Sequence, residues 1–396
     1  MKLFDIKQDA SNALNYMERL VNNGSRSGFT EKNSTSSSTN PFFVDAFNLI
    51  EYKSEIKSFG VVPKTLQSID GLLLHPDWAK HIEKQDNIKT TDFRVCPTSS
   101  FRTVKLYEEN FYLKLSYPGV IGRLRRDLQE KHIISCIQMS EILDGLIENP
   151  SMPVQFSFLP ERGGCLGYVT STIETGFMIR NSMPIGKNVS CIANIIPAFS
   201  LFGKDRKNEK DLPLLQQIIE QKRNGNIYLL TQYIYPLVDI YFTCLLHEGL
   251  SPEMHSQNIL FGYDDEWNVV SIILRDLESI DKDISIREKL NKSKFVNSYK
   301  TIRDSDYNYL IKHSFMFDHK LGEYLVEELI ECVANCDNIN EATLRGDIKN
   351  YVKDKYGVYF KDLFPSDGKW YKFENVEINH DIAYRPYLAL DNSVFR

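Results

Sequence analysis

The stretch that decides the fold is Ser100-Phe-Arg-Thr-Val-Lys-Leu-Tyr107 followed by Asn110-Phe-Tyr-Leu-Lys-Leu-Ser116. Both runs alternate and are rich in aromatic and β-branched residues, a pattern typical of β-strands. Glu108-Glu109-Asn110 supplies a turn between them, so the two runs predict a hairpin. Arg102 and Lys114 would then lie on neighbouring strands.

A third cation, Arg126, follows Lys114 by twelve residues, the same separation that divides Lys114 from Arg102. A helix is predicted from about Ile121 to Ile147, which places Arg126 near its start. A hairpin followed by a helix could therefore bring the three cations to one anionic substrate. Alternatively they are solvated surface charges, as most charged residues are.

A second hairpin is predicted from Asn258–Phe261 and Val269–Leu274, joined by an acidic turn. Adjacent antiparallel strands bring the residues before the first strand beside those after the second. The polar residues expected to converge there are Glu253, His255, Gln257, Asn258 and Asp276. Carboxylate and amide oxygens suit Mg²⁺ and a nucleotide. His255 could stabilise an oxyanion or transfer a proton, although a lone histidine more often makes a structural hydrogen bond.

Composition excludes several classes of protein. The chain has 396 residues, enough for two or three domains, with 42% hydrophobic and 25% charged residues, as in ordinary globular proteins. Its net charge of −6 argues against general nucleic-acid binding. No apolar run is expected to reach the roughly 18 residues that a membrane helix requires, and no signal core is seen. The seven cysteines lack a paired pattern and favour free thiols in the cytoplasm.

The order of predicted elements indicates an α+β fold, with strands first and helices later. Three regions are expected: a short N-terminal segment (1–70) with a Ser/Asn-rich linker at 24–40, a strand-rich phosphate-binding region (71–205), and a helical C-terminal region with the catalytic hairpin (206–396). A helix is predicted from Ile227 to His247, with Gly249 as its terminator.

Several motifs together resemble the NRPS-independent siderophore synthetases, the aerobactin-synthetase-like (IucA/IucC) family. The family carries a His-Pro-Trp-type strand end, a Pro-Thr-x-Ser-x-Arg-Thr segment, Lys-Leu-Ser before basic residues, a Glu-x-His-x-Gln-Asn segment and an Arg-Asp after a hairpin. The corresponding stretches here are His75-Pro-Asp-Trp78, Pro97–Thr103, Lys114-Leu-Ser116 with Arg125-Arg126, Gly249–Asn258 and Arg275-Asp276. They cover roughly residues 70 to 396.

The resemblance implies a cupped, hand-like fold with finger, palm and thumb regions, and an ATP-dependent ligase of siderophore biosynthesis. A citrate-like di- or tricarboxylic acid would attack the α-phosphate of Mg-ATP and release pyrophosphate. An amine or alcohol would then attack the acyl-adenylate and release AMP. ATP and Mg²⁺ are the implied cofactors, and a homodimer or a partner synthetase is an implied assembly.

The same resemblance assigns roles to the residues. Ser100, Arg102 and Thr103 would hold phosphate oxygens, because charge-assisted bonds to phosphate are the strong ones. Lys114 and Arg126 would bind the substrate carboxylate and the phosphate that it approaches, and His255 would stabilise the reacting oxygen. The remaining assignments are Gln257 and Asn258 to the nucleotide, Glu253 and Asp276 to Mg²⁺, and His75 to the substrate. From its position before Pro76, His75 is equally well a turn residue that caps a strand.

Three departures from the family pattern bear on activity. Family members commonly carry an N-terminal domain with paired His-Pro segments, so residues 1–70 are expected to be a shortened form of it. Gly122 replaces a usual threonine, and Arg180-Asn181 replaces an Arg-Glu pair. A non-catalytic homologue that binds ATP therefore remains an alternative. A small-molecule kinase is another, because Glu253, Asn258 and Asp276 are arranged around a hairpin much as in aminoglycoside-kinase-like proteins.

Overall fold

The structure is a computed structural model, and it describes residues 1–8, 10–22, 47–82, 87–106, 109–121, 124–170, 173–366, 369–378 and 381–396. The predicted linker at 24–40, Glu108 of the predicted turn and Gly122 lie outside these ranges. The fold is α+β, as predicted.

The largest element is an antiparallel sheet of eight strands, here called the large sheet. In spatial order its strands are Lys57–Gly60, Glu161–Tyr168, Glu174–Asn181, Phe111–Leu115, Thr103–Leu106, Ile88–Pro97, Phe47–Tyr52 and Leu72–Leu74. The predicted hairpin is confirmed as Thr103–Leu106 and Phe111–Leu115, and it occupies the centre of the sheet. A central position buries both strands, which explains their aromatic and aliphatic content.

A five-stranded sheet, here called the small sheet, contains the second predicted hairpin. Its strands in order are Ile185–Gly186, Phe156–Phe158, Val269–Leu274, Ile259–Tyr263 and Asn194–Pro197. The hairpin of Ile259–Tyr263 and Val269–Leu274, the site hairpin, is confirmed. Strands from before and after residue 205 therefore share one sheet, so the predicted regions 71–205 and 206–396 are joined through it.

The helix predicted from about Ile121 begins later, at Glu130, and this prediction is wrong at its N-terminal end. Tyr117–Ile121 and Leu124–Arg126 form a short two-stranded ribbon instead. The Gln129 side chain and the His132 ring bond reciprocally to each other's backbone N–H groups, a capping box that fixes the helix start. Arg126 is consequently presented from a strand rather than from a helix.

The central helix of the C-terminal half runs from Gly225 to Glu248, slightly longer than predicted. Leu230–Ile234 is a π-helical segment directly before Pro236, whose missing N–H breaks the regular bonding pattern. Gly249 ends the helix in the left-handed conformation (φ 59°). By length and composition this helix could cross a membrane, contrary to the expectation from sequence, but 72% of its apolar window is buried inside the protein.

The other elements surround these sheets. The helices and turns are Leu3–Gln8, Ala10–Leu20, Lys64–Gln67, Pro76–Lys80, Glu130–Ile147, Val189–Cys191, Ala198–Phe202, Leu214–Ile219, Leu277–Ser279, Ile284–Lys289, Tyr309–Ser314, Phe315–Glu327, Glu328–Val333, Glu341–Tyr356, Gly357–Tyr359 and Phe360–Leu363. Short strands at Leu250–Ser251, Asp281–Asp283 and Thr301–Ile302 form a third sheet. A C-terminal hairpin, Tyr371–Ile378 with Asp381–Leu388, was not predicted.

Candidate active site

A cavity of about 730 Å³ is lined both by the large sheet and by the mouth of the site hairpin. Of the eleven side chains predicted to act, ten line this cavity: Ser100, Arg102, Thr103, Lys114, Arg126, Glu253, His255, Gln257, Asn258 and Asp276. The structure therefore brings together residues from two segments more than a hundred positions apart. Their chemical roles remain predictions.

The backbone of the large sheet explains how the first group is placed. Thr103 and Lys114 are direct partners on adjacent strands, and the Leu115 N–H donates to the Arg102 carbonyl oxygen at 2.9 Å. Before the strand, Phe101 adopts a left-handed conformation (φ 64°), which is uncommon for an aromatic residue. The Ser100 hydroxyl oxygen accepts from the Thr103 N–H at 3.1 Å and closes this tight loop.

The mouth of the site hairpin is held by its own polar groups. The Arg275 N–H donates to the Asn258 carbonyl oxygen at 2.9 Å. The Asn258 side-chain amide donates to the Glu253 carbonyl oxygen at 3.0 Å and to the Ser279 hydroxyl at 3.1 Å. Because both amide hydrogens are committed to the loop, a nucleotide or metal contact by Asn258 would use its side-chain oxygen. Asp276 follows in the left-handed conformation (φ 66°), which aspartate tolerates better than most residues.

Lys114 joins the two halves of the cavity. Its ammonium group contacts Asp276 directly and donates to Glu278 at 2.7 Å. Arg102 lies 3.8 Å from the same Glu278 carboxylate, and Arg180 lies 3.2 Å from Asp276. A strand of the large sheet and the loop after the site hairpin are thus joined by ion pairs that are largely shielded from solvent.

The protonation states follow from this network. Burial alone would raise the pKa of Glu278, but Lys114 and Arg102 together hold it at about 2. For Asp276 the neighbouring Lys114 and Arg180 likewise outweigh burial and keep its pKa well below the usual range. Burial would lower the pKa of Lys114, whereas the two carboxylates raise it. All three groups are therefore charged at neutral pH.

His255 is held in one tautomer. Its Nδ1 atom accepts from the Gln257 N–H at 3.2 Å, so the proton of the neutral ring resides on Nε2. Burial lowers the pKa of the ring to about 4, although Glu253, 3.9 Å from Nε2, acts in the opposite direction. At neutral pH His255 is thus a hydrogen-bond donor through Nε2–H rather than a cation.

We expect the His255 ring to titrate near pH 4, below the ordinary 6.5, in a pH series of NMR spectra with the His255→Gln variant as assignment control. The unfolded ring binds its proton near pH 6.5, so folding stability should decline as pH falls from about 6.5 towards 4. Over that window His255→Gln should reduce the slope of unfolding free energy against pH by at most about 1.4 kcal/mol per pH unit. Titration near pH 6.5 would contradict the buried, neutral ring.

The two residues predicted for Mg²⁺ have different surroundings. Glu253 pairs with Lys320 at 2.7 Å, and although burial raises the pKa of Glu253, Lys320 lowers it to about 2. Asp276 instead shares Lys114 with Glu278, which offers two ionised carboxylates close together. Within the described ranges no cluster of three or more His, Cys, Asp or Glu side chains is assembled for a metal. Two carboxylates still fit Mg²⁺, because it retains waters and phosphate oxygens as its other ligands.

His75 is the predicted residue that does not line the cavity. It is 3% exposed, its Nδ1 accepts from the Asp77 N–H at 3.1 Å, and it caps the turn Pro76–Lys80. The rings of Phe101 and Tyr117 lie 4.9 and 5.0 Å from it. The geometry therefore matches the turn-forming alternative, and His75 contacts the Ser100–Arg102 loop through the Phe101 ring.

Sequence reasoning missed a second set of cavity residues. Glu278, Lys300, Lys312 and Lys320 line the cavity but belong to no recognised motif. Arg180 was noted only as a departure from the family pattern, yet its guanidinium pairs with the buried Glu161 and reaches Asp276. The position of Glu278 two residues after Asp276 was the one local signal available.

The N-terminal helix Ala10–Leu20 also contributes to the site. One Glu18 carboxylate oxygen contacts the Arg275 guanidinium, and the other accepts from the Ser99 N–H at 3.2 Å. Glu18 is 3% exposed, so this brace is buried. It connects the loop that carries Ser100 with the end of the site hairpin that carries Asp276.

Two family profiles match separate segments of the chain. Residues 71–203 match the profile of the IucA / IucC family. This match covers 133 of the 396 residues. The matched segment contains the Ser100–Arg126 side of the cavity, and the expected family resemblance is confirmed. Residues 228–359, which carry the site hairpin, match the profile described as ferric iron reductase FhuF-like transporter. No curated protein matches the sequence at a significant level.

Solved structures share the fold at low sequence identity. The petrobactin biosynthesis protein AsbB from Bacillus anthracis superposes with a TM-score of 0.64 at 15% identity, over 82% of this chain and 64% of its own. ATP-bound aerobactin synthetase IucA from Klebsiella pneumoniae superposes with a TM-score of 0.62 at 14% identity, over 84% of this chain and 66% of its own. Aerobactin synthetase IucC from Klebsiella pneumoniae superposes with a TM-score of 0.65 at 14% identity, over 92% of this chain and 75% of its own. The chain thus spans slightly less than two thirds of the first two proteins.

Proposed function

We propose that this protein is an ATP-dependent, adenylate-forming ligase that condenses a citrate-like di- or tricarboxylic acid with an amine or an alcohol in siderophore biosynthesis. The observation that carries the proposal is the charge of the cavity. Nine Lys and Arg side chains and five Asp and Glu side chains line it, an excess of four positive charges in a chain whose net charge is −6. Such a cavity suits two anionic substrates that must be held in contact.

The first step would join the acid to ATP. A carboxylate oxygen attacks the α-phosphorus, a new P–O bond forms, and the bond from the α-phosphorus to the bridging oxygen breaks to release pyrophosphate. Arg102, Lys114 and Arg126 would reduce the repulsion between carboxylate and phosphate, and fixed positions would make the attack effectively intramolecular. ATP use is supported by the shared fold with ATP-bound IucA.

Two carboxylates of the protein, those of Asp276 and Glu278, also bear on this first step. Asp276 and Glu278 both form ion pairs with Lys114, so an incoming phosphate or carboxylate must share or replace them. Mg²⁺ bound by these two carboxylates would neutralise phosphate charge. Asp276 and Glu278 would hold the metal, and Lys114 would bind the substrate anion.

The second step would consume the acyl-adenylate. The amine or alcohol attacks the acyl carbon, a C–N or C–O bond forms, the bond to the adenylate oxygen breaks, and AMP leaves. The Nε2–H of His255 is suited to donate to the oxygen that gains charge in this step, which preorganised donors stabilise strongly.

We also infer a cytoplasmic location, supported by the need for ATP and by the seven cysteines, which form no disulfide among the described residues. A homodimer or partner synthetase remains a prediction.

The test is ATP–pyrophosphate exchange with a panel of di- and tricarboxylic acids, without any nucleophile. We expect exchange that depends on one acid or a narrow group of acids, and hydroxamate formation when hydroxylamine is added. Product analysis should find AMP and pyrophosphate. ADP would instead indicate a kinase, and ATP binding without exchange across the whole panel would indicate the non-catalytic alternative.

A further inference from the structure

A second group of cations lines the cavity, separate from the Arg102–Lys114 network. It consists of Lys300, Lys312 and Lys320, here called the lysine cluster. Lys312 belongs to the helix Tyr309–Ser314 and Lys320 to Phe315–Glu327, whereas Lys300 precedes the short strand Thr301–Ile302. The proposed adenylation step uses none of these three side chains.

The lysine cluster has more positive charge than its surroundings neutralise. Lys320 is paired with Glu253 at 2.7 Å. Lys300 donates to the Ser279 carbonyl oxygen at 3.3 Å and to no carboxylate within the described ranges. Lys312 has no ion pair with any carboxylate that the structure describes. Asp281, Glu278 and Asp276 also act on Lys300. Glu278 and Asp276 are already paired with Lys114, and burial raises the pKa of the Asp281 carboxyl, which disfavours its charged form.

The backbone conformation of Lys300 and two aromatic rings of the cavity wall also support a binding site for a small molecule. Lys300 adopts a left-handed conformation (φ 50°), an unfavourable state for a lysine that surrounding contacts must hold in place. Phe315 and Phe373 line the cavity beside the lysine cluster, with ring centroids 4.4 Å apart. Such a wall can cover the methylene groups of a small organic molecule, while ammonium groups bind its charged end.

His255 connects the lysine cluster with the proposed adenylation site. Its Nε2 atom lies 3.9 Å from Glu253, which pairs with Lys320 at 2.7 Å, and the ring lines the same cavity as Asp276. An acyl group that forms beside Lys114 and reaches His255 would therefore be close to a molecule bound at the lysine cluster.

We propose that the lysine cluster binds a carboxylate carried by the second substrate, so that the nucleophile is an amino acid or a hydroxy acid rather than a polyamine. This inference rests on the proposed ligase function. A polyamine would bring further positive charge to three ammonium groups, whereas a carboxylate would be attracted to them. The amine or hydroxyl of the same molecule forms the bond to the acyl carbon and loses its proton to solvent, and AMP departs with the electrons of the broken C–O bond.

The test compares nucleophiles in chemically matched pairs, with AMP release measured at saturating ATP and acid. Lysine with cadaverine, ornithine with putrescine, and serine with ethanolamine each differ by one carboxylate. We expect at least one carboxylate-bearing member to exceed its decarboxylated partner by tenfold or more in kcat/KM. Equal rates or a preference for the decarboxylated amines would overturn the inference. Exchange without a nucleophile reports on the ligase function separately.

The Lys312→Glu variant assigns the preference to the lysine cluster. It should lower the ratio between the two members of the best pair by tenfold or more, mainly through a higher KM for the carboxylate-bearing member. Lys312→Met should lower the same ratio less, and the exposed Lys353→Met serves as the matched control with an unchanged ratio. A higher KM for ATP with an unchanged ratio would overturn the inference and assign these lysines to the nucleotide. Circular dichroism spectra of each variant establish that it is folded.

Discussion

The Arg126→Ala variant should lose ATP–pyrophosphate exchange by about 100-fold or more while its stability changes by no more than about 0.5 kcal/mol. The loss is expected because Arg126 lines the cavity and lies on the proposed path of the substrate anions. Stability should persist because, among the described residues, no carboxylate forms an ion pair with the Arg126 guanidinium. Its backbone carbonyl, which accepts from Arg102 at 3.3 Å, is unchanged by the substitution.

The measurement combines exchange kinetics with urea unfolding of the same preparations. The exposed Lys361→Ala variant is the matched control for loss of one positive charge, and it should retain full exchange. Arg126→Lys should recover part of the activity, since it restores charge without the planar fork of the guanidinium. Exchange within threefold of the wild type in a folded Arg126→Ala protein would remove Arg126 from the proposed site.

The Lys114→Met variant should lose exchange to a similar extent and, unlike Arg126→Ala, should also be destabilised by about 3–5 kcal/mol. The reason is the position of the ammonium between Asp276 and Glu278. Lys114 is 3% exposed, so its removal leaves the largely shielded Glu278 carboxylate and the one-third exposed Asp276 carboxylate without their main partner. The alternative from sequence, that Lys114 is a solvated surface charge, does not hold, because its side chain is buried.

A second variant separates the two effects of removing Lys114. Adding Glu278→Gln to Lys114→Met removes one of the unpaired charges and should restore about 1–2 kcal/mol of stability, but no exchange activity. Urea unfolding and exchange are measured on both single variants and on the double variant. Additive stability changes would contradict the coupling between Lys114 and Glu278, and restored exchange would contradict the substrate-binding role of Lys114.

Part of this site could be predicted because its pieces are local in sequence. The Thr103–Leu106 and Phe111–Leu115 hairpin follows from alternation and a turn, and antiparallel pairing then places Arg102 beside Lys114. The site hairpin brings Asn258 and Asp276 together by the same rule. The order of the motifs indicated the family resemblance, because several independent short motifs occur along this chain in the same order as in family members.

Other parts depend on contacts that no local pattern encodes. Arg126 lies on a short strand rather than a helix, because a capping box at Gln129 fixes where the helix begins. Glu18 reaches Arg275 across 257 positions of sequence, from the helix Ala10–Leu20. The pairing of Glu253 with Lys320, and not with a second metal-binding acid, likewise follows from packing of the helix Phe315–Glu327 against the hairpin mouth.

The sequence by itself determined the α+β class, both hairpins, the family resemblance and ten of the side chains that line one cavity. These follow from alternation, turn residues and antiparallel register, which act over a few residues. Only the tertiary structure decided how the charges are paired: Lys114 between Asp276 and Glu278, Glu253 with Lys320, and Lys312 without an ion pair among the described residues. Electrostatic interaction depends on distance and burial, and for these groups both are set by how sheets and helices pack.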